Sequence, residues 1–306
     1  RFNGFYCIVL TPQVLVECTT PPGVGKNFNH QITIAEQVSD VATTLINQYG
    51  VSPSYAPPVI ASLTRFKNKL MHDTDTRGYT TNSTGAKIYE IITMTGTNFG
   101  PVGKTWNSIT AQYNTTAASN LQTADSYDAL NCYVYEADVV IKCQLATGAG
   151  HSHEWSVTVG RQPSQTPTSS YGVPRLDSIE GPGSVDASTV GGQLVTLIGN
   201  NFGPYINGTT VTYGVSGIGY TPTGCVALTN QKIECYTVPG IAMQSKLHWS
   251  IQVRGQKNII DQNSAFTKYA APYIQQIYSV VANSASAWGS IGANYRMFLK
   301  GLFFLK

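Results

Sequence analysis

Charge is what this sequence has least of. Lys, Arg, Asp and Glu make up 11% of its 306 residues, against about 25% in ordinary soluble domains. The formal net charge is +3 and no basic run occurs, so the electrostatic footprint of a nucleic-acid platform is missing. No apolar run reaches the roughly 18 residues that a spanning helix needs, and no membrane insertion is expected of this segment. Catalytic signatures are missing too. There is no G-x-S-x-G elbow, and GVGK at 23–26 lacks the full spacing of a phosphate-binding loop. Asp73 and Asp75 sit in a polar stretch that promises no rigid cleft, which paired carboxylates need for glycoside chemistry. The chain therefore reads as a non-enzyme, with no catalytic residue, cofactor or metal expected. The opening RFNGFYC lacks the features of a secretory signal. It falls inside a repeat unit, so it says nothing against secretion.

In place of charge the surface uses Ser, Thr, Asn and Gln, and the chain holds 18 tyrosines, 29 glycines and 15 prolines. Such a surface needs another source of solubility, and covalent sugar supplies one. Three triplets fit N-glycan acceptors, at Asn82, Asn114 and Asn207. The stretch PSQTPTSS at 163–170 reads as a short extended linker, with Thr166, Thr168, Ser169 and Ser170 as candidate O-glycan acceptors.

Six cysteines form three close pairs, Cys7 with Cys18, Cys132 with Cys143, and Cys225 with Cys235. Their recurrence at nearly constant spacing points to three local disulfides, and so to an extracellular or cell-surface location. The competing reading is six buried reduced thiols in a cytosolic protein. Zinc would need more closely spaced ligands.

The pairs belong to a repeat. Each is followed by a glycine-containing turn and then an alternating run: HQITIAEQ at 30–37, HEWSVTVGRQ at 153–162 and HWSIQVRGQ at 248–256. A period of two is the mark of a half-buried strand. A second signal, TGTNFGP at 95–101 and IGNNFGP at 198–204, precedes two of the pairs. Glycines 96 and 100 are expected to permit a turn with unusual backbone angles, and Phe99 to fold back as a core plug. Openings recur as well: YAPPVIASL from Tyr55, YGVPRLDSIEG from Tyr171 and YAAPYIQQIYSV from Tyr269. Gly301 sits where Gly96 and Gly199 sit.

The expected organisation is all-β. Residues 1–52 form the late half of a sandwich plus a linker, 53–167 and 168–267 form complete sandwiches, and 268–306 form an early half. Within this plan, 37–49 reads equally as a short helix or an irregular linker. Residues 66–87 read as an exposed polar insertion, and 88–94 as a strand. Trp155 and Trp249 hold matching positions, which favours core packing over sugar stacking; Trp106 and Trp288 have no assigned place. His151 and His153, with Glu154 beside them, read as an exposed turn rather than a metal site.

These openings, the GxNFG elements and the cysteine-flanked late strands together resemble the IPT/TIG family of early-set immunoglobulin-like domains, over essentially the whole chain. The resemblance implies tandem β-sandwiches with no shared catalytic residues. At the fourth unit GLFF, from Gly301, departs from the motif. Three functions are weighed. The leading one is an extracellular structural glycoprotein whose units join head-to-tail into a filament or surface coat, its partners being further copies or a continuing repeat chain. The alternatives are an adhesion or receptor ectodomain that binds protein or glycan, and a non-catalytic accessory array of a polysaccharide-processing enzyme.

Overall fold

The computed structural model describes residues 5–40, 53–65, 76–103, 109–115, 126–164, 167–204, 207–241, 245–279 and 297–302. These residues are all-β, arranged as small antiparallel sheets in sandwich-like packings. They fall into two compact units, residues 1–173 with 253–256, and residues 174–252 with 257–306.

The first unit opens with two separate hairpins. One pairs β1 (Phe5–Thr11) with β2 (Leu15–Thr19), the other β3 (Thr33–Ile34) with β4 (Gln37–Val38). Of the stretch read as helix or linker, Gln37 and Val38 are therefore strand, and 41–49 lie outside the described residues. A sandwich follows, from β5 (Val59–Arg65) onward. Its next strands are β6 (Tyr79–Thr81), β7 (Lys87–Tyr89), β8 (Ile91–Thr97) and β9 (Ile109–Thr115). Then come β10 (Ser126–Glu136), β11 (Val140–Gln144), β12 (His153–Val159), β13 (Gln162–Pro163) and β14 (Thr168–Ser169). The strand order is β13-β12-β9-β10-β11-β8-β5, with β14 also on β12. One continuous path arises because β10 is long. Its first residues pair with β9 and its later ones with β11, with a register shift between Leu130 and Tyr133 and a positive φ at Asn131. A bulge of this kind lets a strand turn from one sheet into the next.

Two expectations are corrected here. The part of 66–87 that is described is not simply an exposed insertion. Tyr79–Thr81 pairs with Lys87–Tyr89, and Thr76 is buried. The strand read across 88–94 is also broken, since Glu90 separates β7 from β8. Polar side chains hid this hairpin because neither of its strands buries a regular apolar face.

From residue 174 onward the strands are β15 (Arg175–Glu180), β16 (Leu194–Asn200), β17 (Thr209–Gly214), β18 (Thr223–Thr229), β19 (Lys232–Tyr236), β20 (Leu247–Val253), β21 (Gln256–Lys257) and β22 (Phe266–Thr267). They form two sheets, β15-β16-β19-β18 and β17-β20-β21, with β22 on β20. A last hairpin pairs β23 (Tyr273–Ser279) with β24 (Met297–Leu302).

The cores follow the period-two pattern. In the first sandwich Ile92, Met94, Ile141, Trp155, Val157 and Val159 point inward and are fully buried. Val195, Leu197, Ile233, Trp249 and Ile251 do the same in the second. Strand β20 departs from strict alternation, since His248 and Ser250 are buried between its apolar residues.

The GxNFG element has a physical explanation at each position. A Cβ on Gly96 would lie 1.9 Å from the Val59 carbonyl oxygen, and one on Gly199 would lie 1.9 Å from that of Arg175. Close approach of a neighbouring strand, not an unusual φ, requires glycine there. Left-handed φ values fall instead at Asn98 and Gly100, and at Asn201 and Gly203; Asn tolerates this region better than most residues. The reversal drives Phe99 and Phe202 into the core, both fully buried.

Candidate functional site

The three cysteine pairs close as disulfides, Cys7–Cys18, Cys132–Cys143 and Cys225–Cys235. Each links the two strands of one hairpin, β1–β2, β10–β11 or β18–β19, beside a register shift.

A second device recurs just after the second and third disulfide hairpins, and it is built from tyrosine. Tyr171 inserts its ring beside Tyr113, Tyr127 and His153, with centroids 5.4–6.2 Å away. The Ala146 N–H donates to the Tyr113 hydroxyl at 3.2 Å, that hydroxyl bonds the Tyr171 hydroxyl, and Tyr171 donates to the Ala146 carbonyl at 2.9 Å. The ring of bonds thus starts and ends on one residue. In the second sandwich Val238 plays the part of Ala146. Its N–H donates to Tyr213 at 3.0 Å, Tyr213 bonds Tyr269 at 2.7 Å, and Tyr269 donates to the Val238 carbonyl at 2.6 Å. Burial raises the pKa of all four tyrosines, so they stay neutral donors. Glycine is needed beneath both clusters. A Cβ on Gly148 or Gly240 would come within 2.7 Å of the Tyr171 or Tyr269 hydroxyl.

Tyr55 does the same for the N-terminal hairpins. Its hydroxyl donates to the Pro21 carbonyl, and its ring packs edge-on against Phe28 at 5.6 Å. So each opening tyrosine is held by the turn that follows a disulfide hairpin. A glutamine braces the same joint. Gln162 donates from Nε2 to the Tyr55 carbonyl at 2.8 Å and accepts from the Gly25 N–H at 3.1 Å. Gln256, grouped with the first unit, donates to the Tyr171 carbonyl at 2.9 Å. The turns before these glutamines share left-handed φ values, at Gly160 and Arg161 and at Arg254 and Gly255.

The predicted tryptophans pack in the core. Trp155 stacks on Tyr113 at 4.3 Å and Trp249 on Tyr213 at 4.4 Å, with indole N–H groups donating to Ser169 and Thr267. Trp106 and Trp288 lie outside the described residues. The exposed-turn reading of the histidines is corrected for His153, which is fully buried among three tyrosines. Its Nε2 meets the Ala149 carbonyl at 3.2 Å, while its Nδ1 has no partner among the described residues. Burial lowers its pKa to about 4 and keeps the ring neutral. His151 is half-buried beside the Ser152 hydroxyl. Among the described residues no group of three or more His, Cys, Asp or Glu is placed to hold a metal.

The glycan acceptors are placed as follows. Asn82 is exposed in the β6–β7 turn, where its Oδ1 accepts from the Thr84 N–H and hydroxyl and from the Ala86 N–H. Asn114 is exposed on β9, and Asn207 in the turn before β17. Thr168 is exposed, Ser170 is half-buried with its hydroxyl accepting from the Ser152 N–H, and Thr166 lies outside the described residues. Ser169 is a correction. It is buried and its hydroxyl holds the Trp155 indole, so the folded domain closes it to a transferase.

No protein-family model matches the chain, and no curated protein matches it. Solved structures with similar stretches include the plexin A4 extracellular region, domains 1 to 8, at 14% identity and a TM-score of 0.27, covering 74% of this chain and 20% of that one. Another is SGBP-B from a xyloglucan utilization locus of Bacteroides uniformis, at 16% identity and a TM-score of 0.25, covering 76% and 58%. A third is the surface layer protein SbsC, domains 1–6, at 13% identity and a TM-score of 0.21, covering 80% and 33%. The chain spans less than two thirds of each of these structures.

Proposed function

We propose that this chain is a non-catalytic extracellular array of IPT/TIG-type sandwiches, with a late half at 1–52, complete domains at 53–167 and 168–267, and an early half at 268–306. Its units join head-to-tail into a filament or surface coat whose sugar sits at Asn82, Asn114 and Asn207. The observation that carries this reading is the repeated joint. Tyr55, Tyr171 and Tyr269 each lock an opening onto the turn after a disulfide hairpin. Repeats whose opening tyrosines are each bonded to the preceding turn suit a protein that bears load or sets spacing. Three hairpin disulfides suit an oxidising space outside the cell. Intact mass of native material, taken before and after reduction and N-glycan removal, tests this. The expected result is three closed disulfides and sugar on at least one asparagine. Reduced cysteines with all three asparagines bare contradict it.

The runner-up is adhesion to protein or glycan. Exposed tyrosines favour it, with Tyr133 and Tyr135 on β10 and Tyr236 on β19. A glycan array probed with the native protein separates the two, since saturable binding to one glycan class supports adhesion.

A further inference from the structure

The β1–β2 hairpin repeats a structure seen twice elsewhere in the chain. Val9 pairs with Val16 as Val134 pairs with Ile141 and Ala227 with Ile233. In both complete sandwiches the second strand of this hairpin has another neighbour. Strand β11 lies between β10 and β8, and β19 lies between β18 and β16. Strand β2 has only β1 among the described residues, and its hairpin is correspondingly bare. Val9 is 63% exposed where Val134 is 4%.

The missing neighbour has a counterpart at the other end of the chain. In β23–β24, Ile274 pairs with Gly301, a register shift follows, and Ile277 pairs with Leu299. The strands that flank β11 and β19 carry the same register. Ile60 pairs with Gly96 and Leu63 with Met94 after an equal shift, and Leu176 pairs with Gly199 and Ile179 with Leu197. Strand β24 thus corresponds to β8 and β16. Within one chain, β1–β2 and β23–β24 form separate two-stranded sheets.

We propose that β24 of one copy pairs with β2 of a second copy, giving a four-stranded sheet β23-β24-β2-β1 that matches β15-β16-β19-β18. The inference rests on the array reading above and names the surface by which its units join. The register follows from the two complete cases, in which Met94 faces Ile141 and Leu197 faces Ile233. Leu299 therefore faces Val16, Lys300 faces Leu15, and Met297 faces Cys18. Backbone direction agrees. The Gly96 N–H donates to the Val139 carbonyl and the Leu145 N–H to the Glu90 carbonyl, so alternate residues from 139 to 145 turn their polar groups toward β8. By the same count Val16 directs its N–H away from β1, at the free edge. Unpaired strand edges recruit another strand, and the main-chain bonds supply the affinity. Strand β17 lies in the other sheet of its sandwich, so this four-stranded sheet closes without a counterpart of it.

A second contact follows from the joint. Gln37 ends the turn with left-handed φ at Ala35 and Glu36 that matches those before Gln162 and Gln256, and it is exposed. In the joined pair it reaches the Tyr269 carbonyl of the other copy, as Gln162 reaches that of Tyr55.

The test uses the full recombinant 306-residue chain and two edge-blocked variants, Val16→Pro and Leu299→Pro. Proline removes the outward N–H at each site. Mass photometry and light scattering across a concentration series read the assembly. The wild-type chain should form a ladder of integral multiples, and each variant alone should stay single. An equimolar mixture of the two should form pairs and stop, because one supplies a working β24 and the other a working β2. That complementation also shows that both variants are folded. Gln37→Ala should weaken the ladder several-fold. A wild-type chain that stays single with its three disulfides closed overturns the pairing while leaving the reading of a non-catalytic, disulfide-bonded extracellular array in place. An edge filled only by flanking repeats of a longer polypeptide gives that same result, and overturns the pairing equally. A ladder that Val16→Pro leaves unchanged, or a mixture that stays single, overturns it as well.

Discussion

The β10–β11 and β1–β2 hairpins are the same object in two settings. Both are closed by a disulfide across 11 residues, and both have equivalent pairs at their centre. The first is covered by β8 and buries Val134 and Ile141; the second shows Val9, Leu10 and Leu15 to solvent. The difference teaches that the disulfide and the local register make the hairpin, whereas its core comes from neighbours distant in sequence. The largest expected effect sharpens this contrast. Ile141→Ala empties a fully buried site and should cost about 2–5 kcal/mol. Val16→Ala, at the matched position, should change the stability of a single chain by about 0.5 kcal/mol or less. Denaturant melts of both variants check this, and equal losses would break the comparison.

The two sandwich-like packings offer a second contrast. Their tyrosine rings of hydrogen bonds match, yet the strand position held by His153 in the first is held by Leu247 in the second. Burial holds the His153 pKa at about 4, below the ordinary 6.5. Unfolding lets the ring bind a proton at pH values where the folded state excludes it. Stability of this sandwich is therefore full above about pH 6.5 and falls as pH drops toward 4, by about 3 kcal/mol in all. Residue-resolved hydrogen exchange at pH 7 and pH 4.5 should show the β8–β12 core loosening ahead of the β16–β20 core. His153→Leu should remove most of that difference.

A smaller effect tests the shared part. Tyr171→Phe and Tyr269→Phe each leave a buried hydroxyl and a carbonyl short of a partner, at a cost of about 1–3 kcal/mol. Thermal melts of the two variants should give similar losses. A large loss in only one would show that the two rings of bonds are not equivalent.

Much of this architecture was legible in the sequence, because period-two alternation and cysteine spacing act over short distances. The Trp155–Val157–Val159 face and the three disulfides belong to that class, as does Phe99 as a plug. The tyrosine joints were not legible. Tyr113 meets Tyr171 across 58 residues and Tyr213 meets Tyr269 across 56, and no local pattern links such partners. The near-equal separations were the available signal. His153 and Ser169 escaped for one reason. A glycine-rich turn and a Ser/Thr-rich linker suggest solvent, but His153 lies on β12 and Ser169 opposite it on β14, and both side chains are buried.

The claim that the end hairpins are halves of one sheet has a direct measurement, amide hydrogen exchange at Val16 in assembled material. The matching amides, Ile141 on β11 and Ile233 on β19, lie between two strands and should exchange slowly. Pairing of β2 with β24 predicts that Val16 becomes protected to a comparable degree on assembly and is freely exchanging in the Leu299→Pro variant. Free exchange of Val16 in both samples would contradict the account.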